Sequence, residues 1–431
     1  MTEYIAIPPA REVRGTVAAP PSKSATNRAL VLAAISETPV EIERPLESDD
    51  TRALIRCLAA MGATIETSPR GLLVRGPLAG AGGGEIVLDA GESGTAARFL
   101  TALAAATPGL FFLTGSPRLR ERPIGELVAA LRSAGGRIEP AAAPDRLPLR
   151  IRGGGVRCGR IVVDASRSSQ FLSALLLAAP SVPGGLEVAA ASTVASAPYL
   201  ATTLDCLRAF GHEVSAEVRD GGARVARGRV AAASYEVAGD YSSALPLLAS
   251  AGMAGGRISV SGLAWPSRDA DAQALGALAA MGIEIQGQAG AVTAAARRGG
   301  LQPVSVRATD IPDAVPALAA LAAAAVGESR FEGVGHLRVK ESDRIASLVS
   351  LLEKVGAGAR ARDNSLVVIG PARLRSDRSV RRLATFGDHR IAMAGALLSL
   401  AIPGLLIENP RCVAKSYPRF FRDFDSLAVR A

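Results

Sequence analysis

Five segments of the chain share one pattern, an apolar-striped helix that stops at a glycine and runs into a short strand. They are CLAAMGATIE (57–66), ALRSAGGRIE (130–139), CLRAFGHEVS (206–215), ALAAMGIEIQ (277–286) and LLEKVGAGAR (351–360). Their glycines, Gly62, Gly135, Gly211, Gly282 and Gly356, are spaced by 73, 76, 71 and 74 residues. Glycine enters the left-handed conformation that closes a helix without steric penalty, so each one marks a helix end. A sixth copy is expected at the end of the chain, in RDFDSLAVRA.

A second helix recurs in the same register. Its copies open at SATNRALVLAA (Ser24), GTAARFLTALAA (Gly94), SSQFLSALLLAA (Ser168), SSALPLLASA (Ser242), IPDAVPALAALA (Ile311) and DHRIAMAGALLSLA (Asp388), again about 70 to 77 residues apart. These helices are apolar nearly all round and should be buried. Each is expected to open on Ser, Thr or Asp, the side chains that cap N-termini. Such periodicity defines a repeat architecture. The chain of 431 residues therefore reads as an α/β protein of six βαβ-type units in two lobes of three, helices inside and sheets outside. Helices pointing the same way would aim free N–H groups and positive dipole ends at one surface of each lobe. Two such surfaces facing each other would make one anion-binding cleft. Caps also stabilise any helix, so on their own they support both readings equally.

The basic residues decide between them. Lysine and arginine total 49, yet only four are lysines: Lys23, Lys340, Lys354 and Lys415. Where arginine has replaced lysine nearly everywhere, a retained lysine points to a need for its compact, titratable ammonium. Lys354 fits the polar side of a helix. Lys23 directly precedes the first buried helix, with Arg28 one turn in. Arg98 lies one turn into the second, and Arg390 opens the sixth. Charge is costly inside buried helices unless paired, so Arg28 and Arg390 read as anion ligands, and Arg98 as a ligand or a brace. In HLRVKESDR (336–344), Lys340 and Arg344 are expected at i and i+4 on one face of a helix, with Glu341 beside Lys340 as a proton donor–acceptor pair. RLRERPIG (118–125) adds three arginines, and NPRCVAKSYP (409–418) carries Lys415. This is more positive charge than one phosphate needs, and suits two anions side by side.

The rest of the composition excludes other classes. The net charge is +9, but aromatics are only 4% and no basic run interleaves with them, which argues against nucleic acid. Four cysteines, Cys57, Cys158, Cys206 and Cys412, lack metal or disulfide spacing. No segment reads as a signal peptide or a membrane span, so a reducing cytoplasm is the expected location.

At this point the residues resemble a known family, 5-enolpyruvylshikimate-3-phosphate synthase (3-phosphoshikimate 1-carboxyvinyltransferase). The match runs through SKSATNRAL, SGTAARFL, RERPIG, SSQFLSALL, SAPYL, GDYSSA, DIPDA, RVKESDR, FGDHRIAM and AKSYP, in the family's order. The resemblance implies a two-lobed inside-out α/β barrel, with a lower lobe of residues 1–21 plus 239–431, an upper lobe of 22–238, and a hinge near 19–22 and 237–243. It implies transfer of the enolpyruvyl group of phosphoenolpyruvate to the 5-hydroxyl of shikimate 3-phosphate, through a tetrahedral intermediate and with release of phosphate. It implies no metal or organic cofactor, two small-molecule substrates as partners, no membrane and a monomer. By motif, Lys23, Ser24, Arg28, Ser168, Ser169, Gln170, Ser196, Tyr199, Asp313, His336 and Lys340 would bind shikimate 3-phosphate. Lys23, Gly94, Thr95, Arg122, Gln170, Arg344, His389, Arg390 and Lys415 would bind phosphoenolpyruvate. Asp313, Glu341 and Lys23 would be catalytic.

The chain departs from the family's commonest pattern at several places. Glu92 replaces an asparagine and Pro21 a glycine, while His336 stands for an asparagine and Phe99 for a proline. SRDAD (267–271) stands where QGD is usual. A carboxylate at 92 is expected to repel phosphoenolpyruvate unless paired or turned away. The related family that transfers enolpyruvyl to UDP-N-acetylglucosamine carries a reactive cysteine in the loop matching RERPIG, which has none here. A non-catalytic paralogue would keep the basic clusters but lose Asp313, Glu341 and Lys23. An acceptor other than shikimate 3-phosphate within the same chemistry stays open.

Overall fold

The computed structural model describes residues 3–80, 83–157, 159–217, 222–228, 230–371 and 379–430. Contacts divide the chain into a continuous unit, Pro21–Val237, and a discontinuous one, Met1–Pro20 with Ala238–Ala431. Each has its own apolar core.

The continuous unit is built on α1 (Lys23–Ala34), α2 (Gly94–Ala106) and α3 (Gln170–Ala178). The discontinuous unit is built on α4 (Tyr241–Ala254), α5 (Val315–Ala322) and α6 (His389–Ser399). Nearly every residue of these helices is buried, and within each unit the three pack against one another. Their all-round apolar sequences require that setting.

Among the described residues, each unit carries three sheets. In the plainest repeat, Glu85–Asp89 runs parallel to Gly109–Thr114 with α2 between them. Gly109–Thr114 then pairs antiparallel with Leu149–Gly153, which pairs with Arg137–Pro140 in a hairpin. Buried and exposed residues alternate along Leu149–Gly153, so one sheet face covers the helices. The repeats built on α3 and α5 follow the same order.

The remaining repeats borrow strands. Ser234–Glu236, at the end of the continuous unit, runs parallel to Val40–Glu43 and so completes the α1 repeat. Glu12–Ala18 runs parallel to Gly256–Ser261 and supplies the missing strand of the α4 repeat. Tyr4–Ala6 pairs antiparallel with Leu405–Glu408 in the α6 repeat. The five helix-ending glycines have φ between 82° and 108°, in the left-handed region, as the pattern requires. The sixth copy is a helix, Phe420–Ser426, followed by the strand Ala428–Val429.

Two local expectations need correction. Side-chain caps are present on α1, α2, α4 and α6, from Ser22, Ser93, Asp240 and Asp388. They are absent from α3 and α5, whose N-cap residues Ser169 and Ala314 already have helical backbone. A proline in the first turn of α5 serves there, because its ring fixes φ and it has no N–H to satisfy. Lys340 and Arg344 do not share a helix face. Asp343 accepts hydrogen bonds from Ile345 N and Ala346 N at 3.1 Å and starts the helix at Arg344, leaving Lys340 outside in extended backbone.

Candidate active site

Four sequence-predicted residues of the discontinuous unit, Asp313, Glu341, Arg344 and Arg390, converge at helix N-termini. Arg344 opens the helix Arg344–Lys354 and is only 1% exposed. Its Nε donates to Asp388 Oδ2 at 2.9 Å, Nη1 to Asp313 Oδ1 at 2.6 Å and Nη2 to Glu341 Oε2 at 2.9 Å. Asp313 lies in the turn before α5 and also pairs with Arg390 at 3.5 Å. Arg390, in the first turn of α6, donates to the Ser242 carbonyl at 2.6 Å and to the Ser242 hydroxyl. Asp388 ties these together, since its Oδ1 accepts from Arg390 N at 2.9 Å while Oδ2 also accepts from Ser342 at 3.1 Å. Buried charge of this kind persists only when paired and hydrogen-bonded.

The electrostatics follow from that clustering. Burial alone would raise the Asp313 carboxyl, but Arg344, Arg390 and Lys340 outweigh it and hold it well below the usual carboxylate range. Asp313 is therefore ionised at neutral pH. His336 is pushed down to about 3, by burial and then by the Lys340 charge, so it is a neutral imidazole. His389 is buried beside Asp388, with Nδ1 3.8 Å from Oδ1. Lys415 is 4% exposed and ends a 3₁₀ turn, Pro410–Lys415, that packs on α6.

The continuous unit gathers a second set. Lys23, the first residue of α1, places Nζ 3.1 Å from Asp50 Oδ2. Arg28 is buried, and donates to Thr203 Oγ1 at 2.8 Å, the Ser24 carbonyl at 2.9 Å, the Tyr199 carbonyl at 3.2 Å and Ser173 Oγ at 3.4 Å. Arg98 braces three segments, donating to the Gly94 carbonyl at 3.0 Å, Gln170 Oε1 at 3.0 Å and the Pro123 carbonyl at 3.1 Å. Gln170 in turn donates to Thr95 Oγ1 at 3.1 Å, and its own backbone N–H donates to Ser168 Oγ at 3.2 Å. Gly94 leaves room for two guanidinium groups, since a Cβ there would stand 2.5 Å from Arg122 Nη1 and 2.6 Å from Arg98 Nη1 and would push both aside. Ser169 and Ser196 are buried, and Ser196 has φ 57°, a conformation uncommon outside glycine.

Sequence reasoning missed Asp388, Asp50, Ser242, Ser173 and Thr203. Asp388 and Asp50 are visible as helix-start acids in GDHR and ESDD, but nothing in the sequence pairs them with distant cations. Ser242 contributes partly through its carbonyl, which carries no residue-specific signal. Cys57 and Cys206 are buried free thiols that burial pushes up to about 12, so neither is a thiolate at neutral pH. Cys158 lies outside the described residues. Among the described residues, no group of three His, Cys, Asp or Glu could hold a metal ion, and no helix is long and apolar enough to cross a membrane.

A family model described as EPSP synthase (3-phosphoshikimate 1-carboxyvinyltransferase) matches residues 7–424. The chain belongs to that family. A 3-phosphoshikimate 1-carboxyvinyltransferase of Methanoculleus marisnigri is 40% identical, over 94% of each chain. One from Syntrophobacter fumaroxidans is 38% identical, over 98% of this chain and 99% of its own. Among solved structures, the EPSP synthase of Acinetobacter baumannii superposes with a TM-score of 0.79 at 24% identity, covering 100% of this chain and 99% of its own. The enolpyruvyl transferase NikO of Streptomyces tendae gives 0.75 at 19% identity, covering 98% and 96%. These neighbours establish the enolpyruvyl transferase fold, the two-lobed inside-out α/β arrangement of six repeated units.

Proposed function

We propose that this chain transfers the enolpyruvyl group of phosphoenolpyruvate to the 5-hydroxyl of shikimate 3-phosphate, as a cytoplasmic monomer in aromatic amino-acid biosynthesis. Family membership supports the reaction. The observation that carries it to particular residues is the Arg344 cluster, in which one buried guanidinium holds both Asp313 and Glu341 while Arg390 holds Asp313.

Lys23, Ser24, Arg28, Ser168, Ser169, Gln170, Ser196 and Tyr199 take the phosphorylated ring, with Asp313, His336 and Lys340 at its hydroxyls. Lys23, Gly94, Thr95, Arg122, Gln170, Arg344, His389, Arg390 and Lys415 take phosphoenolpyruvate. In the addition step the 5-hydroxyl oxygen bonds to C2 of phosphoenolpyruvate and loses its proton, while C3 gains one and becomes a methyl group. In the elimination step the C2–O bond to phosphate breaks and the methyl group returns a proton, leaving the enol ether. Asp313 and Glu341 carry the protons and Lys23 receives the departing phosphate charge.

The cluster adds a physical condition. A carboxylate clamped by two guanidinium groups is a weak base. Substrate anions that draw Arg344 and Arg390 towards themselves weaken the clamp, so the Asp313 pKa rises towards a useful range as the site fills. The direct test mixes protein, shikimate 3-phosphate and phosphoenolpyruvate without added metal, following phosphate and the enol ether by NMR. Stoichiometric appearance of both is expected. Absence of turnover, or turnover only when UDP-N-acetylglucosamine replaces shikimate 3-phosphate, refutes the assignment.

A further inference from the structure

Phe386 occupies a position that neither folding nor solubility explains. It lies in ATFGDHR, two residues before the cap of α6. Its φ is +54° and that of Gly387 is +70°, while Asp388 N donates to the Thr385 carbonyl at 2.9 Å. Two consecutive left-handed residues closed by that hydrogen bond have the sign pattern of a type I′ turn, whose first central residue is ordinarily Asn, Asp or Gly. A phenylalanine there is sterically disfavoured. Nor does the ring gain by burial, for Phe386 is 54% exposed. The turn is nevertheless firmly seated, with Thr385 1% and Asp388 0% exposed. Strain of this kind persists where function maintains it.

The place suggests the function. The turn leads directly into Asp388 and Arg390, the acid and the cation that organise the N-terminus of α6. We propose that Phe386 is a substrate-covering residue, the edge of its ring set against the carboxylate or phosphate of the phosphoenolpyruvate held by Arg390. This deepens the proposed function and rests on it. A phenyl ring offers no hydrogen bond to compete with the guanidinium, and its positive edge tolerates an anion. By displacing water it lowers the local dielectric and strengthens each arginine–anion contact.

The test compares Phe386→Asn, Phe386→Gly and Phe386→Tyr in the full-length enzyme. Asn and Gly both suit the turn, so they remove the ring without removing the conformation. The expected result is a KM for phosphoenolpyruvate raised about tenfold in both, with KM for shikimate 3-phosphate changed less than twofold. The melting temperature should hold or rise, because strain is relieved. Phe386→Tyr should retain the wild-type KM. A phosphoenolpyruvate KM within twofold of wild type in Phe386→Asn and Phe386→Gly overturns the proposal while leaving the activity standing. Equal rises for both substrates overturn it too, by pointing to a general disturbance of the turn. An inactive wild-type chain would instead refute the underlying activity, and the proposal with it.

Discussion

Replacing Asp388 measures how far one buried carboxylate organises the site. Its Oδ2 accepts from Arg344 Nε at 2.9 Å and Ser342 Oγ at 3.1 Å, while Oδ1 accepts from Arg390 N at 2.9 Å. Asp388→Ala removes both acceptor oxygens and with them all three hydrogen bonds. Breaking a buried ion pair by deleting one partner costs about 3–5 kcal/mol, and losing an N-cap adds about 1 kcal/mol. Arg344 keeps Asp313 and Glu341, so the lower end of that range is expected for the pair, about 4 kcal/mol together with the cap. Asp388→Asn is not neutral either. Asparagine has one acceptor oxygen where aspartate uses two, so it serves either Arg344 or the cap. A loss of about 1.5–3 kcal/mol is expected, that of one charge-assisted hydrogen bond. The sole tryptophan, Trp265, lies in the same unit as Asp388. Urea unfolding followed by tryptophan fluorescence therefore reports that unit even if the two units melt separately. A destabilisation below about 1 kcal/mol for Asp388→Ala would refute the reasoning, because it would mean that the buried guanidinium tolerates losing this partner.

Asp313→Ala and Glu341→Ala should each lose about 10²–10⁴-fold in kcat while remaining folded, and near-normal turnover removes that residue from the proton path. Gly94→Ala should raise KM for phosphoenolpyruvate, since the new methyl displaces Arg122 and Arg98; an unchanged KM would show that both guanidinium groups yield without consequence. Glu92→Asn should lower KM for phosphoenolpyruvate by removing a like charge, and a constant or higher KM would refute that reading. Because the folded Asp313 pKa is depressed, its stabilisation is complete above the unfolded value of about 3.9 and is lost as pH falls towards the folded value. The expected slope is at most about 1.4 kcal/mol per pH unit. Acid unfolding of Asp313→Asn should be correspondingly flatter below pH ~4, and an identical slope would count against the clamp.

The repeat was legible because it is written in local chemistry. Gly62, Gly135, Gly211, Gly282 and Gly356 announce helix ends by themselves, and six helices apolar nearly all round announce that they are buried. The motifs around Lys23, Ser168, Asp313, Arg344 and Lys415 were equally readable as a family pattern, and the family match over residues 7–424 agrees. Other features were not local. That Ser234–Glu236 completes the first repeat and Glu12–Ala18 the fourth depends on strand pairings between residues nearly two hundred or more positions apart. Spacing alone put Lys340 and Arg344 on one helix face, until the Asp343 cap decided where the helix begins.

The chain's order of residues thus determined its periodic architecture, its buried helices and its stock of cations, because helix stops, apolar faces and charge are properties of short segments. Which carboxylate meets which guanidinium was left to the folded state. Asp313, Glu341 and Asp388 are separated by up to 75 residues, yet they close on one Arg344. Their ionisation follows from desolvation and Coulomb interactions between groups that only packing brings within 3 Å, and no window of sequence contains that distance.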